Sequence, residues 1–292
     1  MQPWCVKCGF IVGSNIPLAV LYNIKEELYL LKTAIIGGTG VYDPCLLEDV
    51  REMVETTPYG SVRVSLGKYA GMEVAFIPRH GLEHSIPPHL INYRANIKAL
   101  QQLGIKNILA TAAVGSLHFE FKPGQFVLAD QFLDFTKSRR NTFYEGGEAG
   151  VVHCDMTVPY CPELREALVK AGKELGIQVQ NGGTYVCTEG PRFETAAEIM
   201  MFKQLGGQLV GMTSVPEVCL ARELGICYAT LAIVTNFAAG ITTGILTHSE
   251  VLELMKRNIE LARSLMMSSL KYIGEEKSCN CGKILDEPGA IK

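Results

Sequence analysis

The stretch LAIVTNFAAG, residues 231–240, decides how the chain is read. Its first half is an unbroken apolar run, the pattern of a buried strand. The run stops at Thr235-Asn236 and gives way to small residues. Helical periodicity lies on either side. A helix is expected near 215–224, and a long one at 248–273 sets Val251, Met255, Ile259, Ala262, Met266, Leu270 and Ile273 on one stripe. Upstream the alternation repeats. Apolar runs occur at 32–36, 72–78, 107–114, 125–133, 184–188 and 208–212, with helical patterns at 93–103, 162–176 and 193–205. Such alternation predicts an α/β fold: a single domain with a central mixed β-sheet flanked by helices. In such sheets ligands collect beyond the carboxyl ends of the strands, which is where Asn236 stands.

The domain is expected over residues 32–276. Residues 1–31 read as an N-terminal extension of no assigned role, and 277–292 as a flexible Cys-x-Cys tail. Of the 292 residues 48% are hydrophobic and 20% charged, which supports a large core and argues against disorder. A net charge of −3 without a long basic run argues against nucleic-acid binding. Residues 10–22 are apolar but too short to span a bilayer, and they lack a basic flank and a clear cleavage site. No membrane association and a cytoplasmic location are expected.

Ten cysteines are many for such a protein. Cys187, Cys219 and Cys227 sit inside apolar runs and read as small buried hydrophobes. Cys5-x-x-Cys8 and Cys279-x-Cys281 stand apart. No second pair follows at zinc-finger spacing, so neither a metal nor a cofactor is expected. The two ends could still combine into one four-thiolate site, and Cys279-x-Cys281 reads equally as a strained redox disulfide or a loose tail.

The strand ends carry the chemistry. Gly37-Gly38-Thr39-Gly40 offers backbone N–H groups and a hydroxyl, without the Gly-Lys-Ser/Thr ending of a nucleotide-binding P-loop. Arg79-His80 ends the second run, with His84 beyond it, and Arg is the natural fork for phosphate oxygens. Ala112-Ala113 has small side chains that let an anion reach the backbone. Thr213, after Gly211-Met212, adds another hydroxyl. Each alone is as easily a tight turn or a surface residue; four strand ends with anion donors point to free phosphate or a phosphorylated sugar. Phe193 offers a stacking face, and Glu194, at an expected helix start, is either a dipole partner or an acceptor for ring N–H groups. His248 falls just inside the last helix, where Thr247 and Glu250 have capping-box spacing.

Five motifs occur in order: Gly37-Gly38-Thr39-Gly40, Arg79-His80-Gly81, Asn92-Tyr93-Arg94-Ala95-Asn96, Glu189-Gly190-Pro191-Arg192-Phe193 and Gly211-Met212-Thr213-x-Val215-Pro216-Glu217. Together they resemble the trimeric purine nucleoside phosphorylases, and within them the methylthioadenosine phosphorylases, over about residues 32–274. The resemblance implies a homotrimer or dimer of trimers, with inorganic phosphate as co-substrate. It implies a phosphate site of Thr39, Arg79, His80, Ala112, Ala113 and Thr213, with Met212 on the ribose. Phe193, Glu194, Asn236, Phe237 and Ala238 would form the base site. Asn236, Glu194 and His80 would act on the reacting groups.

Three departures qualify it. Methylthioadenosine phosphorylases carry Asp-Tyr-Asp where this chain has Asn236-Phe237-Ala238. An Asn amide can donate to N7 or O6 of a 6-oxopurine, whereas Asp would leave O6 facing an acceptor. Glu194 matches a residue that accepts from N1–H, a hydrogen adenine lacks. His248 matches a residue that bonds the ribose 5′-OH, where methylthio enzymes are apolar. The resemblance therefore implies phosphorolysis of inosine and guanosine. The neighbouring readings are S-methyl-5′-thioinosine and S-methyl-5′-thioadenosine phosphorylase. A reading of another class, a non-catalytic nucleotide- or phosphate-binding protein, needs the anion site without the base-reading residues.

Overall fold

The computed structural model describes the backbone of residues 32–38, 41, 46–83, 85–243 and 248–286. The described residues form eleven strands: β1 (Thr33–Gly37), β2 (Glu48–Thr57), β3 (Gly60–Tyr69), β4 (Met72–Pro78), β5 (Asn107–Ser116), β6 (Phe126–Leu128), β7 (Gln131–Phe135), β8 (Val179–Asn181), β9 (Thr184–Thr188), β10 (Leu209–Gly211) and β11 (Cys227–Phe237). The helices are α1 (Tyr93–Gln102), α2 (Pro162–Leu175), α3 (Ala196–Gln204), α4 (Ser214–Glu223) and α5 (His248–Ser269). All eleven strands join one mixed sheet, ordered β2-β3-β4-β1-β5-β10-β9-β7, while β11 pairs β5 and β6, and β6 pairs β8. One large core lies among β3, β5, α1 and α4, and a second among β1, β11, α2 and α5, so helices cover both faces. This is the expected α/β architecture.

The topology opens a gap beside β5. Strand β1 pairs it only up to Ala110, and β10 joins the same sheet antiparallel at Gly115 and Ser116. Between them, residues 111–114 of β5 keep a backbone edge that neither strand covers. On its other side β5 is paired along its length by β11. That ladder shifts register between Val234 and Asn236, so Thr235 is an extra residue. Bulges of this kind re-aim side chains at a sheet's end.

Some expected elements differ. The run at 125–133 is two strands, because the chain changes partners at Ala129-Asp130: β6 pairs β11 and β8, whereas β7 pairs β9. The helix expected from 193 begins at Ala196; Thr195 caps it in a reciprocal capping box with Glu198, so Glu194 precedes the helix instead of starting it. The β2–β3 hairpin lies in a segment read without strands. The tail is not loose over 277–286. Cys281 is buried, and Glu163 accepts hydrogen bonds from the backbones of Ser278 and Cys279.

Candidate active site

A cleft with about 1440 Å³ of empty space opens at the gap beside β5. Its lining includes Arg79, His80, Ala112, Ala113, Phe193, Glu194, Met212, Thr213, Asn236 and Ala238. These ten expected site residues come from five strand ends and their loops. Thr39 and His84 lie outside the described residues, as does the side chain of His248, which begins α5. Phe237 does not line the cleft: its ring packs 5.4 Å from that of Phe119.

Arg79 is in the cleft wall but is not an unencumbered fork. It is fully buried, with Nε and Nη2 donating to the two carboxylate oxygens of Glu217 at 2.9 and 2.7 Å. Its Nη1 donates to the Thr111 carbonyl at 2.7 Å, on the uncovered edge of β5. Burial by itself would lower its pKa; the charge and hydrogen bonds of Glu217 outweigh that and raise it. These bonds use three of the five guanidinium N–H donors. Glu217 in turn accepts from the hydroxyl of Tyr228 at 2.7 Å. The Gly38 N–H, expected to face an anion, instead donates to the Thr111 hydroxyl at 3.0 Å. His80 holds the Ile86 carbonyl at 2.8 Å through Nδ1, which fixes the loop that brings Ser85 to Pro88 into the cleft.

At the other end, the bulge sets Asn236. Its Oδ1 accepts from the Thr235 hydroxyl at 2.7 Å, and its Nδ2 donates to the Phe237 carbonyl at 2.9 Å. The second Nδ2 hydrogen is left for a ligand. Gly115 lies directly beneath, where a Cβ would come within 3.2 Å of Nδ2. Glu194 accepts from the Thr188 hydroxyl at 2.6 Å. Burial raises its pKa, against the lowering effect of that bond. Phe193 is 39% exposed, with its ring available at the mouth.

One residue has no counterpart in the sequence reading. Arg139 is almost wholly buried and donates to four carbonyls: Met212 at 2.6 Å, Val215 at 2.7 Å, Thr188 at 3.0 Å and Glu189 at 2.7 Å. It ties the ends of β9 and β10 together and so places Met212, Thr213 and Glu194. No motif marked it; the doublet Arg139-Arg140 looks like any solvated pair. Gly190 shows why Met212 sits where it does: at φ +67° it favours glycine, and a Cβ there would meet the Met212 sulfur at 2.6 Å.

A phosphorylase superfamily model matches residues 32–271. The chain belongs to that family. It is an enzyme, of the pentosyl-transferring kind formed by the nucleoside phosphorylases. It is 55% identical to the 6-oxopurine nucleoside phosphorylase of Pyrococcus furiosus over 256 residues, 86% of this chain and 96% of that one. It is 55% identical to a probable 6-oxopurine nucleoside phosphorylase of Moorella thermoacetica over 251 residues, with the same coverage. The methylthioadenosine phosphorylase of Schistosoma mansoni, solved with adenine, superposes with a TM-score of 0.83 at 35% identity, covering 89% of this chain and all of that one.

Proposed function

We propose that the chain cleaves 6-oxopurine nucleosides, inosine and guanosine, with inorganic phosphate, giving the free base and ribose 1-phosphate. The observation that carries this is the pairing, in one cleft, of an Asn236 amide donor with a Glu194 carboxylate acceptor. A 6-oxopurine offers the complement: acceptors at O6 and N7, and a donor at N1–H. The 55% identity to proteins named for that activity supports the same reading.

Phosphate sits against the uncovered edge of β5, held by the outer N–H groups of Arg79, by His80, by Thr213 and by backbone N–H groups near Ala112 and Ala113. Thr39 is proposed to close this site. Met212 packs on the ribose, His248 bonds its 5′-OH, and Phe193 covers the base. As the glycosidic bond lengthens, its electron pair passes to the purine and the sugar becomes cation-like. Asn236 donates its remaining Nδ2 hydrogen to N7 or O6, where negative charge collects, and Glu194 holds N1–H. A phosphate oxygen then bonds the anomeric carbon. Positioning the two reactants supplies much of the rate, and this scheme needs neither a covalent intermediate nor a cofactor.

The test is product analysis by NMR after mixing the chain with inosine. The reading expects hypoxanthine and ribose 1-phosphate in equal amounts, and only with phosphate present. No base release under either condition would favour a binding protein; free ribose would indicate a hydrolase.

A further inference from the structure

Four thiols from three separate parts of the chain meet at the far end of β11, opposite the cleft. Cys161 immediately precedes α2, Cys227 is the first residue of β11, and Cys279 and Cys281 come from the tail. Their Sγ atoms all lie within 4.8 Å of one another. Cys279 Sγ is 3.8 Å from that of Cys161 and 3.5 Å from that of Cys227. Thiolates held about 2.3 Å from a tetrahedral zinc lie about 3.8 Å apart, so the cluster already has nearly the size of a zinc site. Cys161, Cys227 and Cys281 are buried and Cys279 is half-buried, as a closed structural site requires.

The tail is delivered to this place by its own bonds. The Glu163 carboxylate accepts from the Ser278 N–H at 2.7 Å, the Ser278 hydroxyl at 2.6 Å and the Cys279 N–H at 2.7 Å. At Gly225, φ +66°, a Cβ would stand 3.4 Å from the Gly282 Cα, so the tail backbone passes close over the turn before β11. The buried guanidinium of Arg222 acts electrostatically on Cys281 and would offset part of a four-thiolate charge. None of the four sulfurs takes part in the chemistry above. The expectation of no metal ligands came from spacing along the chain; the four residues lie too far apart in sequence for spacing to reveal them.

We propose that Cys161, Cys227, Cys279 and Cys281 form a structural four-thiolate zinc site that clamps the C-terminal tail to the domain. Binding releases the thiol protons to solvent and involves no oxidation. The site differs from the sequence alternative that paired Cys279 and Cys281 with Cys5 and Cys8.

The test uses the full chain, produced with zinc in the medium and purified anaerobically without chelator. Elemental analysis should find about one zinc per chain. The Cys279→Ser/Cys281→Ser variant should retain less than about a tenth of that. Chelation should lower the melting temperature of the wild type and leave that of the variant unmoved. Three results would overturn the proposal: no zinc retained by the wild type after dialysis against micromolar zinc, equal zinc in the double variant, or mass-spectrometric disulfides among the four cysteines of the zinc-free, anaerobically purified chain.

Discussion

Among single residues, base selection rests on Asn236 and Glu194. The Phe237 carbonyl, 2.9 Å from Asn236 Nδ2, requires a donor at that position. In Asn236→Asp an ionised carboxylate would place oxygen against oxygen, so the side chain should take a proton. That single proton serves either the Phe237 carbonyl or purine N7; turned to N7, it leaves the other carboxyl oxygen to accept from a 6-amino group. The variant should therefore lose inosine activity, by about 10–100-fold in kcat/KM, and gain on adenosine. An unchanged preference would remove Asn236 from base reading.

For Glu194 the folded-state pKa lies above the unfolded one, chiefly through burial. Its contribution to stability is full below the unfolded value and is lost as pH rises through the folded value. Catalysis runs the other way, because the ionised carboxylate accepts more strongly from N1–H than the protonated acid does. The kcat/KM for inosine should fall on the acid side at a higher pH than an ordinary glutamate would give. Glu194→Gln should flatten that limb and lower kcat/KM about 10–100-fold, without lowering the melting temperature at pH 7. An acid limb that persists in the variant would assign it to another group. Arg79, His80 and Thr213 were legible because they follow apolar runs. That Arg79 is tied to Glu217 was not, since the partner lies 138 residues away and only the fold joins them.

At the scale of the element, the cleft exists because β1 and β10 stop short of each other beside β5, and buried arginines hold the loose ends. The Arg79–Glu217 pair links the end of β4 to α4, with side chains 1% and 0% exposed. Glu217→Gln would leave a buried guanidinium without its counter-charge, which costs about 3–5 kcal/mol. Urea unfolding should show the midpoint lowered with the slope unchanged; a loss under about 1 kcal/mol would mean that water reaches the pair.

The strands were read well where both faces are buried, as in β5 and β11, since a continuous apolar run is a strong signal. The edge strand β2 was missed. Its sequence, EDVREMVETT, carries the charges that keep an edge from pairing with other chains, and they mask its alternation. The break between β6 and β7 was also hidden, because a change of strand partner leaves an apolar run unbroken.

At the scale of the whole molecule, the sequence reading reached the single domain and the sheet flanked by helices. It did not reach the docked tail, whose polar composition suggests a loose end, whereas in the fold Glu163, Cys161 and Cys227 receive it. The assembly is a further expectation. Leu82, Leu90 and Phe119 are 54%, 65% and 61% exposed, and they flank the segments that line the cleft. Exposed apolar side chains of this size would be covered in the expected assembly. Light scattering after gel filtration should give three or six times the 31.9 kDa chain mass, in keeping with the trimeric resemblance. A monomer at micromolar concentration would contradict it.

The most direct test of the central claim is a comparison of kcat/KM, with saturating phosphate, for inosine, guanosine, adenosine, methylthioadenosine and methylthioinosine. Inosine and guanosine should lead. Methylthioadenosine in first place would contradict it, because Asn236 and Glu194 would then not be reading a 6-oxopurine.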